Sequence, residues 1–142
     1  MITDELIIAA ENLRDRVDPL GDLLVKKGLV DYSYNPLMYA WEPHKAFIEL
    51  GGGKGAKTLL LGMNPGPHGM GQMGIPFSAT SVVRDLLEIK GLEVLQPKNI
   101  HPKRPVTGLD WHKEEVSGTR IWNVLEEYYG SCLLYTSPSP RD

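Results

Sequence analysis

The stretch KTLLLGMNPGPHGMGQMGIPF, residues 57–77, decides the predicted fold. It begins with the apolar run 58–61 and breaks at Gly62 into a segment rich in glycine and proline. A short apolar run bounded by turn residues predicts a buried strand of a parallel sheet. The glycines and prolines that follow exclude regular structure. Because open α/β sheets bind ligands where their strands end, Asn64 is predicted to lie at the mouth of a ligand-binding loop.

Helical patterns surround this strand, so the predicted fold class is α/β, a parallel sheet flanked by helices. A first helix is expected over 3–17, because Pro19 would stop it, and a second helix is expected over 20–27. Further helices are expected to begin at Pro43, at Ser78 or Ser81 and run to about residue 90, and at Ser117. Their expected buried faces are, in that order, Ala46, Phe47 and Leu50; Val82, Val83, Leu86 and Leu87; and Ile121, Trp122, Leu125 and Tyr128.

Composition excludes several classes of protein. The chain has 142 residues, a size that suits one domain, and its formal net charge is −3. That charge argues against a protein that coats nucleic acid, although it leaves room for an enzyme with a local basic patch. No apolar run approaches the roughly 20 residues of a membrane span. With Cys132 as its one cysteine, the chain is expected to be intracellular, without a disulfide, a cysteine zinc site or an iron–sulfur cluster.

The character of the sequence changes near its end. Residues 132–142, CLLYTSPSPRD, have no helical or strand period and resemble the translation of a sequencing-library adaptor. We therefore expect 1–131 to be the amino-terminal part of a single domain and 132–142 to be a non-native tail.

Asn64 carries the strongest chemical signal. Its amide oxygen can accept a hydrogen bond from water and its nitrogen can donate one. It lacks the pKa of a general base, so its role would be to position a water molecule. The alternative is an Asx-type turn in which Asn64 only bonds its own backbone.

Other candidates have equally plain alternatives. Phe77 is suited to stacking on a planar ring or to ordinary core filling. Lys103 and Arg104 are suited to phosphate contact or to a solvated loop. The histidines are not spaced as metal ligands, so no metal site is predicted.

Several motifs, in order, resemble one known family. They are YNP with YAWEPH within 34–44, LGMNPGP with G-IPF within 61–77, VRD at 83–85, HPKRPV at 101–106 and EVSG at 115–118. Together they resemble the single-strand-selective monofunctional branch of the uracil-DNA glycosylase superfamily. Within that superfamily, the lack of clustered cysteines disfavours the iron–sulfur branches.

The resemblance implies a role for each matching residue. Asn64 would position the water that attacks C1′ of a flipped deoxyuridine. The backbone around Met63, Gly66 and Met70 would shape the pocket, and Phe77 would stack on the uracil. The implied activity is DNA base-excision repair, in which uracil or 5-hydroxymethyluracil is released and an abasic site remains. It implies no cofactor, uracil-containing DNA as partner, and a monomer in the bacterial cytoplasm and nucleoid or the eukaryotic nucleus.

Two departures qualify that expectation. His68 stands where the family commonly has phenylalanine. This sequence has no match to the family's second half, which supplies an anion-stabilising histidine, a uracil-reading asparagine and a wedge loop. Residues 101–102 and 138–141 resemble the histidine motif superficially, but neither is that motif. We therefore expect weak or absent activity from this chain. The alternatives are a non-catalytic or unstable partial domain with residual nucleic-acid binding, another glycosylase branch, and a nucleoside hydrolase.

Overall fold

The computed structural model describes residues 2–130, and within that range all regular secondary structure is helical. The helices are α1 (Ile2–Lys26), α2 (Pro36–Tyr39), α3 (Trp41–Gly51), α4 (Met70–Met73) and α5 (Val116–Tyr129), with a π-helical turn at Val82–Leu86 and a 3₁₀ turn at Gly108–Asp110. The predicted tail, 132–142, lies outside the described residues.

The predicted α/β class is wrong for the described part of the chain, because residues 2–130 contain no strand. The apolar run 58–61 forms no ladder of interstrand hydrogen bonds with the other described residues, and Leu59 and Leu61 are 86% and 88% exposed. A strand needs a neighbour for its backbone N–H and C=O groups, and none of the described segments pairs with this run. High β-propensity alone therefore leaves it as exposed, irregular chain.

Pro19 does not stop the first helix, as the sequence predicted; it lies inside α1. Contacts from outside the helix hold the residues before and after Pro19. The Asn35 amide donates a 3.0 Å bond to the Arg14 carbonyl, and Lys98 pairs with Asp18 and with Asp22. Tertiary contact thus overrides the local preference for a break. No helix in 2–130 combines the length and apolar character needed to cross a membrane.

The main core forms where α3 meets the segment 73–89. Met73, Ile75, Ala79 and Val83 are fully buried there. The predicted apolar face of α3 packs against them through Ala46, Phe47 and Leu50. The helix expected from Ser78 or Ser81 to about residue 90 is reduced to the π-helical turn. Of its predicted buried face, Val82, Val83 and Leu87 are buried and Leu86 is partly buried.

Helix α5 begins one residue before the predicted Ser117 cap, and no side chain caps it. Ile121, Trp122 and Leu125 are partly buried, as expected, whereas Tyr128 is 79% exposed and was wrongly assigned to the inner face. The helix ends at Tyr129, and the residue after it, Gly130, has a positive φ of 59° that suits a glycine.

Candidate functional site

The loop before α4 is held by its own backbone and by one carboxylate. Gly71 N–H donates a 2.8 Å bond to the Gly66 carbonyl, which closes the turn. Glu115, just before α5, accepts a 3.0 Å bond from His68 N–H at Oε2. A Cβ on Gly66 would lie 2.5 Å from that same oxygen, so glycine permits this close approach. Glu115 therefore fixes the loop from across the site.

Helix α4 itself is fixed by buried polar side chains. The Tyr39 hydroxyl donates to the Gly71 carbonyl, and burial raises the pKa of this phenol. His44 Nδ1 lies 2.7 Å from the Gly74 carbonyl, which can only accept, so the ring donates. Burial lowers the pKa of His44, partly opposed by this bond, and favours the neutral ring.

Gln72, in the middle of α4, ties the helix to the segment 105–108. Its Nε2 donates a 2.9 Å bond to the Pro105 carbonyl. Its Oε1 accepts from Thr107 N–H at 2.9 Å and from Gly108 N–H at 3.3 Å. The side chain is 4% exposed, so these bonds satisfy it away from water.

Phe77 adopts a strained backbone conformation, with φ at 52°, which is rare for a bulky residue. Its carbonyl accepts a 2.9 Å bond from Trp122 Nε1–H of α5. Gly62 approaches the tip of the ring, because a Cβ there would lie 3.3 Å from Phe77 Cζ. The turn is therefore held from α5 while its ring faces the loop that carries Asn64.

Asn64 is exposed, and its Nδ2 donates a 3.3 Å bond to the Pro65 carbonyl. That contact is local, but it is not the Asx-type turn of the alternative interpretation, in which the side-chain oxygen would accept a backbone N–H bond. Its Oδ1 has no hydrogen-bond partner among residues 2–130 and so remains able to accept one. The neighbouring Met63 side chain is 98% exposed.

The structure brings the five residues predicted for catalysis and substrate binding to one cleft of about 580 Å³. They are Met63, Asn64, Gly66, Met70 and Phe77. The two predicted DNA-binding residues, Lys103 and Arg104, line a different cleft of about 350 Å³. Pro67 lines both clefts.

Sequence reasoning assigned no functional role to three polar residues of the larger cleft. Glu115 and Ser117 line it beside the start of α5, and Ser78 lines it beside Phe77. Ser78 is 1% exposed, and its hydroxyl has no hydrogen-bond partner among the described residues. The sequence pointed to Glu115 only through its place in the EVSG motif, and that motif does not predict which loop the Glu115 side chain contacts.

Metal ligands do not cluster in the described part of the chain. Across 2–130, no group of three or more histidine, cysteine, aspartate or glutamate side chains is arranged to hold an ion.

Comparison with known proteins identifies relatives, although no family model matches the chain. A single-strand selective monofunctional uracil DNA glycosylase of Bos taurus is 48% identical over 128 residues, which cover 80% of this chain and 47% of the relative. The proteins of the same description from Rattus norvegicus and Mus musculus are 50% and 48% identical over 123 residues, or 77% of this chain and 44% of each relative. The chain is therefore homologous to part of a single-strand-selective monofunctional uracil-DNA glycosylase, and it spans less than half the length of these three relatives.

Proposed function

We propose that this chain carries one wall of a uracil-DNA glycosylase site. The proposed reaction hydrolyses the N-glycosidic bond of uracil, or of 5-hydroxymethyluracil, in DNA and leaves an abasic site without cutting the strand. The observation that supports it is that Asn64, Phe77 and the loop between them line a single cleft. The homology to glycosylases so described supports the choice of reaction and of DNA as substrate.

Asn64 is the proposed water-positioning residue. Its free Oδ1 can accept one hydrogen bond from a water molecule and direct the oxygen toward C1′. As the C1′–N1 bond breaks, its electron pair leaves with the base and the water oxygen bonds to C1′. The water then loses a proton to solvent, and the uracil anion takes one up from solvent. Positive charge develops on the sugar and negative charge on the uracil, so the site must stabilise the leaving anion most.

Phe77 is the proposed stacking wall, and the backbone at Met63, Gly66 and Met70 is the proposed edge of the pocket. A flipped base loses a few kcal/mol of stacking, and an aromatic face offsets part of that loss. Gly66 suits the edge because it carries no side chain between backbone and ligand.

We propose that this chain by itself is weakly active or inactive. Asn64 and Met63 are exposed on an open face of the cleft, so a bound base would stay in contact with water. Water weakens the electrostatic stabilisation on which departure of the anion depends. The chain also matches less than half of each relative's length. The proposed parent enzyme needs no cofactor and acts as a monomer, in the nucleus of a eukaryote or the cytoplasm and nucleoid of a bacterium.

The test is alkali cleavage after incubation with uracil-containing single-stranded DNA. The purified chain and its Asn64→Ala variant are compared at equal concentration. We expect little or no strand breakage from the chain, and none from the variant. Breakage that persists in Asn64→Ala would contradict the role of Asn64, and robust Asn64-dependent breakage would contradict the weak activity.

A second candidate is a non-catalytic or unstable partial domain with residual nucleic-acid binding. It is favoured by the exposed apolar run that includes Leu59 and Leu61, since such surface promotes association. Cooperative thermal unfolding together with monomeric elution would argue against instability. Retained oligonucleotide binding without excision would favour the binding role.

A further inference from the structure

Aromatic rings line the cleft of about 350 Å³ that also contains Lys103 and Arg104. The rings of His68 and Trp111 are nearly parallel, at 16°, with centroids 5.7 Å apart. Trp111 Nε1–H donates a 3.1 Å bond to His68 Nδ1, so the proton of the neutral imidazole is on Nε2. Tyr32 lines the same cleft. The cleft is therefore lined by aromatic rings and an imidazole donor. His101 contacts the Tyr32 ring and His112 contacts the Trp111 ring, each with centroids 4.7 Å apart.

The same cleft has a basic rim. Lys103, Arg104 and Lys113 line it, and none of the described residues that line it is acidic. Within 2–130, none of the three cations is held in an ion pair. In a chain of net charge −3, these three cations are a local concentration of positive charge; the Glu115 carboxylate, bonded to His68 N–H, is the acidic group next to the cleft.

The basic segment is fixed before any ligand arrives. The Tyr34 hydroxyl accepts a 2.8 Å bond from His101 N–H and donates a 2.8 Å bond to the Arg104 carbonyl. Lys103 N–H donates to His101 Nδ1 at 3.0 Å, and Arg104 N–H donates to the His101 carbonyl at 2.9 Å. A fixed backbone lowers the entropy lost when the cations engage a ligand.

The two clefts are neighbours. Pro67 lines both, and the loop that carries Asn64 continues directly into His68. A polymer that has one unit in the larger cleft can therefore continue across Pro67 into the aromatic one.

We propose that the cleft formed by Tyr32, His68, Trp111, Lys103, Arg104 and Lys113 binds a nucleotide of single-stranded DNA next to the one at Asn64. The base stacks on the aromatic faces, and the backbone phosphates meet the cations. Aromatic platforms beside basic side chains are the usual means of holding single strands without sequence preference. The choice of a DNA strand as occupant rests on the function proposed above.

The test is fluorescence anisotropy of the full chain with a labelled oligothymidylate that contains no uracil. We expect Trp111→Ala to weaken binding about tenfold and Trp111→Phe to keep it within about threefold, because phenylalanine retains a stacking face. For a single strand, each lost phosphate contact lowers the slope of log affinity against log salt by about 0.7. The double change Lys103→Ala with Lys113→Ala should therefore lower that slope by about 1.4.

Lys90→Ala is the matched control, since Lys90 is exposed and lies outside the cleft. The inference is supported if Lys90→Ala binds like the wild-type chain while Trp111→Ala binds more weakly and the lysine double variant shows the lower salt slope. A lysine double variant that binds like Lys90→Ala would overturn it, and so would wild-type binding by Trp111→Ala. Thermal unfolding of each variant separates lost binding from lost folding, and the exposed lysines keep the test decisive if Trp111→Ala does not fold.

Free thymidine 5′-monophosphate separates a strand from a single nucleotide. We expect it to compete at least about tenfold less well than the oligonucleotide, because it offers one phosphate instead of several. Equal competition per nucleotide would overturn the assignment to a strand. Since the probe contains no uracil, failure here leaves the glycosylase proposal standing. Strand breakage that persists in Asn64→Ala, with oligothymidylate binding intact, would contradict the glycosylase proposal and leave this inference standing.

Discussion

The indole of Trp122 donates a 2.9 Å hydrogen bond to the carbonyl of Phe77. This bond joins α5 to a residue whose φ of 52° is unfavourable for a large side chain. Strain of that kind persists only where surrounding contacts hold it. Helix α5 is therefore part of the support of the candidate site, although it lies 45 residues further along the chain.

Gly118 tests this support. A Cβ at this position would lie 2.4 Å from the Ser78 carbonyl oxygen and 2.8 Å from that of Phe77. Backbone atoms cannot yield as a flexible side chain can, so Gly118→Ala should displace α5. We expect a loss of roughly 2–4 kcal/mol in the free energy of unfolding, measured by urea denaturation.

Gly51→Ala is the control for that substitution. A Cβ on Gly51 would have no other atom within 4 Å, and the residue ends α3. It should be neutral or stabilise the chain by up to about 1 kcal/mol. Equal effects from the two variants would show that Gly118 does not mark a close contact.

How far the sequence predicted the fold depended on the range of the interactions. Helix α3 was predicted because Ala46, Phe47 and Leu50 repeat at helical spacing, which is a local property. The strand at 58–61 was predicted wrongly because pairing depends on a neighbour that local sequence does not reveal. The helix end predicted before Pro19 was wrong for a similar reason, since α1 is held by Asn35 and Lys98 from distant parts of the chain.

The candidate site was more predictable than the fold. Glycine and proline near Asn64 marked an irregular loop, and motif resemblance selected the residues that line the cleft. The contacts of Glu115 were not predictable, because they join the loop to a helix start 47 residues away. The aromatic cleft was missed for the same reason: Tyr32, His68 and Trp111 are remote in sequence.

Gln72 should contribute strongly to stability. Gln72→Ala removes bonds to Pro105, Thr107 and Gly108 and leaves the N–H of the buried Gly108 without this partner. We expect a loss of roughly 2–4 kcal/mol in the free energy of unfolding. Gln96→Ala is the control, since Gln96 makes one bond, to the Val106 carbonyl, and should cost about 1 kcal/mol. A Gln72 variant no less stable than the Gln96 variant would contradict this role.

His44 should make stability depend on pH. Its pKa in the folded chain is lowered by burial, so the unfolded chain binds more protons in this range. The stabilising contribution of the neutral ring is complete above the ordinary histidine pKa of about 6.5 and is lost as pH falls toward the folded value. Urea denaturation from pH 7.5 down to about 5 should show this loss.

His44→Asn should flatten that pH dependence, because an asparagine amide can donate to the Gly74 carbonyl but does not titrate. His112→Asn, at an exposed position, should leave the wild-type dependence intact. An unchanged profile in His44→Asn would mean that other groups cause the effect.

The central claim is that the loop from Met63 to Phe77 forms a uracil-binding wall, and binding of an unhydrolysable substrate tests it most directly. Single-stranded DNA with one 2′-deoxypseudouridine, whose carbon–carbon glycosidic bond resists hydrolysis, is compared with a matched strand that carries a tetrahydrofuran abasic analogue at the same position. Stacking of one base on an aromatic ring is worth about 1–3 kcal/mol, so the strand with the base should bind at least about fivefold tighter. Phe77→Leu should abolish the preference and Phe77→Tyr should retain it. Equal affinity of the wild-type chain for the two strands would contradict the claim.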